Sequence, residues 1–338
     1  MKTSNLLRGA LLTCSIAFAV SCTDHEPDPV VFTPEEFSKG ELRDPLSVTK
    51  GDNNRLWVTE QGIKDDSTSG RVSLITPDGV VHPAIVGFRS ETSVEGMPSG
   101  VTHAKYKDGI LYILHGVDGR LYKANVASWN PGDAPIDYAT LPFEELGSFS
   151  KSFLTEIPDS LKESNLYNLA WGPEGDLFIT DAAANLIIRR KPDGSKTRFA
   201  SFPDIDNPLP IGPPKINFVP TGIAWDGSKF YVTSLTGFPF APEAAEIKQV
   251  DQFGNVTDYQ KGFTTLVDVE LTDSNKPLVV HFANFENFAF VPGTGSIQNE
   301  SKGVVLADQV MPTDIEKVYT NTYYVVSLGL KKVLKLTY

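Results

Sequence analysis

Cysteine is nearly absent from this sequence. The 338-residue chain has two, Cys14 and Cys22, both within its first 22 residues. The remainder can hold neither a disulfide nor thiol chemistry. Histidine is scarce too, with five residues. The short motifs that announce catalysis are missing: G-x-S-x-G, H-E-x-x-H, C-x-x-C, a Walker loop, a dinucleotide fingerprint and an EF-hand ladder of aspartates. "PGTGS" (292–296) is only a loop with two glycines. Helical periodicity is almost absent, which argues against a helical framework. Positive charge is outweighed, 30 Lys and Arg against 42 Asp and Glu, for a net charge of −12. That balance argues against nucleic acid and anionic membrane surfaces as partners. Nothing in these absences or in what remains demands an enzyme.

What is present begins with "MKTSNLLRGALLTCSIAFAVSC". Lys2 and Arg8 precede an apolar run, Gly9 to Val20, too short to span a bilayer with ordinary flanks. It reads as an export signal over 1–21. Ala19-Val20-Ser21-Cys22 resembles a bacterial lipoprotein cleavage box, which implies lipid on Cys22. An ordinary signal cleaved nearby is the alternative. Loss of Lys2 and Arg8 takes the charge from −12 to −14. Residues 22–29 read as an acidic, proline-containing tether. The expected location is the bacterial cell envelope, anchored in the outer membrane and facing either the periplasm or the surface. Membrane contact is expected through the lipid alone, and the expected state is a monomer.

Residues 30–338 are strand-rich and repetitive. One phrase recurs: a polar or proline-containing start, a short apolar strand, a turn, and a second strand. It begins at residues 44, 97, 165, 219, 265 and 311, as in "DPLSVTKGDNNRLWVTE", "NLYNLAWGPEGDLFITD" and "VPTGIAWDGSKFYVTS". Most copies are followed by a second hairpin with Asp-Gly or Gly-Asn at its turn, such as "LIIRRKPDGSKTRFAS". Six copies of a four-stranded antiparallel unit predict an all-β, six-bladed β-propeller. The sixth copy ends after its third strand. "PVVFTPEEFSKG" (29–40) resembles an outer strand, so the N-terminal strand is predicted to complete the last blade. Residues 127–163 read as an insertion, with a short helix between Glu144 and Phe153.

In such a ring the starts of the first strands and the ends of the second strands gather at one mouth. The first row is read as Ser47, Gly100, Asn168, Gly222, Asp268 and Asp314. The second is Glu60, His115, Asp181, Ser234, His281 and Ser327. Turn capping and channel hydration would explain both rows. Alternatively, Asn168, Asp268 and Asp314, with Glu60 and Asp181 behind them, are candidate oxygen ligands for Ca²⁺ on the central axis. No cofactor is otherwise indicated. His115 and His281 are candidate acid–base groups, each at the end of an apolar strand where a hydrogen-bonded structural role is the plainer reading. His82 and His103 fall within strands and are weaker candidates. Two loops carry six phenylalanines, among them Phe238 and Phe240 in "SLTGFPFAPEAAE" and Phe285 and Phe288 in "FANFENFAFVPGTGS". They either pack on one another as a cap or line a ligand site, together with His115, His281 and Asp181.

"VPTGIAWDGSKFYVTSLTGFPFAPEAAEIKQVDQFGNVTDYQKGFTTLVDVEL" resembles the signature region of the ScyD/ScyE family of exported propellers with NHL- and TolB-like repeats. "LTGFPFAP", "ESNLYNLAWGPEGDLFITDAAANLIIRRKPDG" and "LWVTEQG" carry the likeness, which covers most of residues 44–270. Leu166 and Asn168 depart from the family pattern, and blades five and six match poorly. The resemblance implies an exported six-bladed propeller and no particular reaction. The expected function is therefore binding, of a small molecule or a protein partner, on the face of the Phe-rich loops. A metal-dependent hydrolase or lyase of the gluconolactonase or streptogramin-lyase kind is the alternative, and a protein-interaction scaffold is a third.

Overall fold

The computed structural model describes residue 28 and residues 31–93, 96–154 and 163–338. The export signal and Cys22 lie outside these residues. Six antiparallel sheets surround a central axis. Blade one contains Pro45–Lys50, Leu56–Glu60, Gly70–Ile75 and Val81–Phe88. Blade two contains Val101–Lys107, Ile110–His115, Arg120–Asn125 and Phe143–Glu145. Blade three contains Leu166–Trp171, Leu177–Asp181, Leu186–Arg190 and Lys196–Ser201. Blade four contains Pro220–Trp225, Lys229–Ser234, Ala245–Asp251 and Val256–Phe263. Blade five contains Leu266–Leu271, Pro277–His281, Gly295–Asn299 and Val304–Gln309. Blade six contains Pro312–Tyr319, Thr322–Ser327 and Lys332–Thr337.

Blade six takes its fourth strand from the N-terminus. Thr33–Glu36 runs antiparallel to the third strand, with Thr33 opposite Thr337 and Glu36 opposite Leu334. The predicted closure is therefore the observed one, and it removes two free sheet edges. The segment read as an insertion does more than interrupt the repeat. Phe143–Glu145 within it is the outer strand of blade two. Ile136–Asp137 adds a fifth, parallel strand to blade one. The short helix spans Gly147–Ser152.

The inner strands of each blade are buried on both sides because each blade is covered by two neighbours, as in Leu177–Asp181. Leu177 and Ile179 pack towards blade two, whereas Phe178 packs towards blade four. The buried apolar residues accordingly form six clusters, one at each blade junction. Adjacent first strands are too close at one junction for any side chain. A Cβ on Gly222 would lie 2.5 Å from the Val269 nitrogen.

Two faces result. Loops joining second to third strands, and one blade to the next, lie on the upper face. Turns joining first to second and third to fourth strands lie on the lower face. Asp28 sits on the lower face, beside Lys276 in the first turn of blade five, 3.6 Å from its ammonium.

Candidate functional site

Every first strand carries a bulge one or two residues after its start, and the pairing around it fixes which residues correspond. The first axial tier is Ser47, His103, Asn168, Gly222, Asp268 and Asp314. His103 thus replaces Gly100 in the predicted row: "PSG" imitates the "PTG" of blade four but lies three residues too early. Two residues further along, on the same side of the strand, a second tier comprises Thr49, Lys105, Ala170, Ala224, Glu270 and Glu316.

Blades five and six share an Asp-x-Glu pattern, "VDVEL" and "TDIEK". It solves a backbone problem at the axis, where first strands do not pair with each other. Asp268 accepts from the Ile315 N–H at 3.0 Å, and Glu270 from Lys317 N–H at 3.3 Å. One blade on, Asp314 accepts from Val48 N–H at 2.5 Å and Glu316 from Lys50 N–H at 2.9 Å. Each carboxylate therefore caps the next blade's innermost strand. Threonines bond the next blade's innermost strand through its carbonyls: Thr102 donates to Leu166, Thr221 to Leu266 and, at the junction Asp314 also caps, Thr313 to Leu46.

Capping leaves acceptor capacity on the axis. Asn168 Nδ2 donates to Asp268 Oδ1 at 2.8 Å, while its own oxygen takes the Leu169 N–H. Burial raises the Asp268 carboxyl well above the usual carboxylate range, and the adjoining Asp314 raises it further. Asp314 is also raised, mainly by burial. Enclosed together, the two carboxylates disfavour each other's ionisation, Asp268 the more strongly affected. His103 is 1% exposed and lies tilted against the Tyr167 ring, with centroids 4.7 Å apart. Its Nε2 is 3.8 Å from Asp314, and neither ring nitrogen completes a hydrogen bond, although the Tyr167 backbone stands close by. Burial first, and Lys105 second, hold this imidazole down to about 3, so it is neutral at pH 7.

The second tier is ionic. Lys105 Nζ meets Glu316 at 2.7 Å. Burial opposes the Lys105 charge, but Glu316, Asp314 and Glu270 outweigh it and raise the ammonium. Glu270, desolvated and facing Glu316, is pushed up to about 7. A cavity of about 380 Å³ opens here onto the lower face, between Trp171, Trp225, Lys105, Glu270 and Glu316, and reaches Asn168 and Asp268 at its floor.

The other predicted residues lie elsewhere. Glu60 is fully buried between Arg71 Nε (2.7 Å), Ser73 and the Arg43 N–H. Asp181 caps a turn, accepting from Ser164, Asn165 and Ala184. His115 Nε2 donates to the Arg89 carbonyl at 2.8 Å, and its Nδ1 accepts from the Asp118 N–H. His281 contacts Ser296 through Nδ1 at 3.2 Å. Burial lowers both imidazoles. Thus Asn168, Asp268 and Asp314 come together and Glu60 and Asp181 do not join them. With the Asn168 oxygen committed to its own backbone, too few oxygens converge for Ca²⁺, which takes six to eight.

The Phe-rich loops meet on the upper face. Phe240 packs on Phe285 and Phe290, with ring centroids 4.9 and 5.1 Å apart, and Phe282 on Phe290 at 5.0 Å. Phe285–Glu286 and Ala289–Phe290 form a small hairpin whose tip presents Phe288. Phe288, 78% exposed, stacks on Phe238, 41% exposed, at 6.2 Å. The cluster is therefore self-packed, with two rings left over.

No family model and no curated protein matches the chain. Solved structures share its fold. A luciferin-regenerating enzyme superposes with a TM-score of 0.55 at 12% identity, over 91% of this chain and 95% of its own. The PQQ-bound aldose sugar dehydrogenase of Streptomyces coelicolor gives 0.54 at 14% identity, over 92% and 99%. A streptogramin B lyase gives 0.52 at 12% identity, over 92% and 99%. At these identities the likeness is one of fold: a six-bladed propeller shared by proteins of different chemistry.

Proposed function

We propose that this protein is a binding propeller whose ligand is a small, polar molecule seated in the axial cavity of the lower face. The observation that carries the reading is the cavity itself. Its volume suits a small molecule, its rim is aromatic through Trp171 and Trp225, and its wall holds charged groups of both signs. The axial groups also fit a binding site rather than a packed plug, because burial and Glu316 push Glu270 up to about 7, where a cationic or hydrogen-bonding ligand can shift its protonation. Export and a lipid on Cys22 belong to the same proposal, in keeping with the ScyD/ScyE resemblance. Asp28 on the lower face would then put the cavity mouth on the membrane side.

The test is thermal denaturation against a panel of sugars, amino acids, polyamines and hydroxy acids. It is run on the wild type and on Ala224→Phe, which fills the cavity from its wall. A compound that raises the wild-type melting temperature and not that of the variant supports the reading. A panel that shifts neither protein, or both alike, contradicts it.

A second reading rests on the upper face. Phe238 and Phe288 are stacked and exposed, and Gly212 of the neighbouring connection lies against Phe238. Phe288 is held at a φ of 62°, a conformation bulky residues rarely adopt. An apolar patch of this kind suits a protein partner better than a small molecule.

A further inference from the structure

We infer that the floor of the axial channel is a binding site for a first-row divalent transition metal, with His103, Asp268 and Asp314 as its protein ligands. One ring nitrogen of His103 and one carboxylate oxygen from each aspartate lie within 4.8 Å of one another, and all three residues are buried. Two buried acids are not by themselves a site, and here both also serve as backbone caps. His103 is the independent observation. It is an imidazole with almost no solvent access, aimed at Asp314, whose nitrogens have no hydrogen-bond partner. Burying such a group without a partner is costly. A salt bridge does not rescue it, since 3.8 Å is too long for a hydrogen bond.

A metal ion gives the unpartnered imidazole and the two enclosed carboxylates a common partner. Imidazole is a common metal ligand through either ring nitrogen, and both nitrogens of His103 lack a hydrogen bond. A dication also balances the charge of the two enclosed carboxylates. Ligands about 2.0–2.2 Å from a tetrahedral ion stand about 3.4 Å apart, so the trio closes by about 1 Å on binding. One nitrogen and two oxygens suit zinc, iron or manganese and not calcium. The outer shell is in place as well. Asn168 Nδ2 holds Asp268, and Val48 and Ile315 N–H groups hold the far oxygens of Asp314 and Asp268. The cavity reaches Asp268, which marks the side from which an ion would enter. The site needs no organic ligand, so it stands or falls separately from the proposed function.

The test uses chelator-stripped protein titrated with Zn²⁺ by calorimetry and with Co²⁺ by visible absorption. One equivalent of Zn²⁺ should bind and raise the melting temperature, and Co²⁺ should give the d–d bands of a low-coordinate site. His103→Gln should weaken Zn²⁺ at least about 100-fold, as expected for a lost ligand, while Glu60→Gln, a buried acid off the axis, leaves it unchanged. Should His103→Gln fail to fold, the Co²⁺ spectrum of the wild type decides alone. No stoichiometric metal in the wild type, an octahedral aquo-like Co²⁺ spectrum, or equal affinity in folded His103→Gln would overturn the site.

Discussion

Glu270 and His103 are both buried titratable groups on the axis, and they pull stability in opposite directions with pH. Glu270 rises from 4.5 to about 7 on folding. Folded protein therefore holds a proton that the unfolded chain releases, and this contribution is full below about 4.5 and lost as pH rises to about 7. His103 falls from 6.5 to about 3, so its contribution is full above 6.5 and lost as pH falls towards 3. A single melting curve against pH mixes the two. The difference between Glu270→Gln and wild type separates them. It should favour the variant increasingly from pH 5 to 7 and level off above. A difference independent of pH would mean that Glu270 is ionised in the folded protein. Gly222 makes a simpler residue-scale case. With a Cβ 2.5 Å from the Val269 nitrogen, Gly222→Ala forces blades four and five apart and should cost about 1–3 kcal/mol in urea denaturation.

At the scale of elements, the N-terminal strand and the Phe hairpin make opposite predictions. Phe32 leads into the strand, is 3% exposed and packs edge-on to Tyr323 at 5.2 Å. Phe32→Ala should cost about 3–5 kcal/mol and expose the edge of Lys332–Thr337 to aggregation. Phe288→Ala, at an exposed hairpin tip, should change stability by no more than about 0.5 kcal/mol, and equal losses in the two variants would show the hairpin to be part of the core. These elements also show what the sequence reveals. The closing strand is legible because the last repeat runs out one strand short. The outer strand of blade two is not, because "PFEEL" is three paired residues inside a connection rich in Pro and Gly. His103 is missed for a related reason. The bulge shifts register by one residue, and Gly100 mimics the glycine of another repeat. Aligning "VTHAKY" with "LVDVEL" and "PTDIEK" by period two recovers His103 and Lys105 beside the Asp-x-Glu pairs.

For the whole molecule, the two faces divide the possible roles. The upper face carries the aromatic cluster and buried, hydrogen-bonded acids such as Glu60 and Asp181. The lower face holds the axial cavity and the point where the chain arrives at Asp28. Convergence across six blades is a property of the closed ring, which is why no single repeat discloses the axial cluster. Its components come from residues as distant in sequence as His103 and Asp314. Removing one blade's carboxylate should then be felt by the next blade: Asp314→Ala frees the Val48 N–H and should raise amide exchange in Pro45–Lys50 before any other first strand. The central claim is that the ligand occupies the axis, and a crystal structure grown with the compound giving the largest melting shift tests it most directly. The account predicts density between Trp171, Trp225 and Glu270. Density against Phe238 and Phe288, with the axial cavity holding only water, would contradict it.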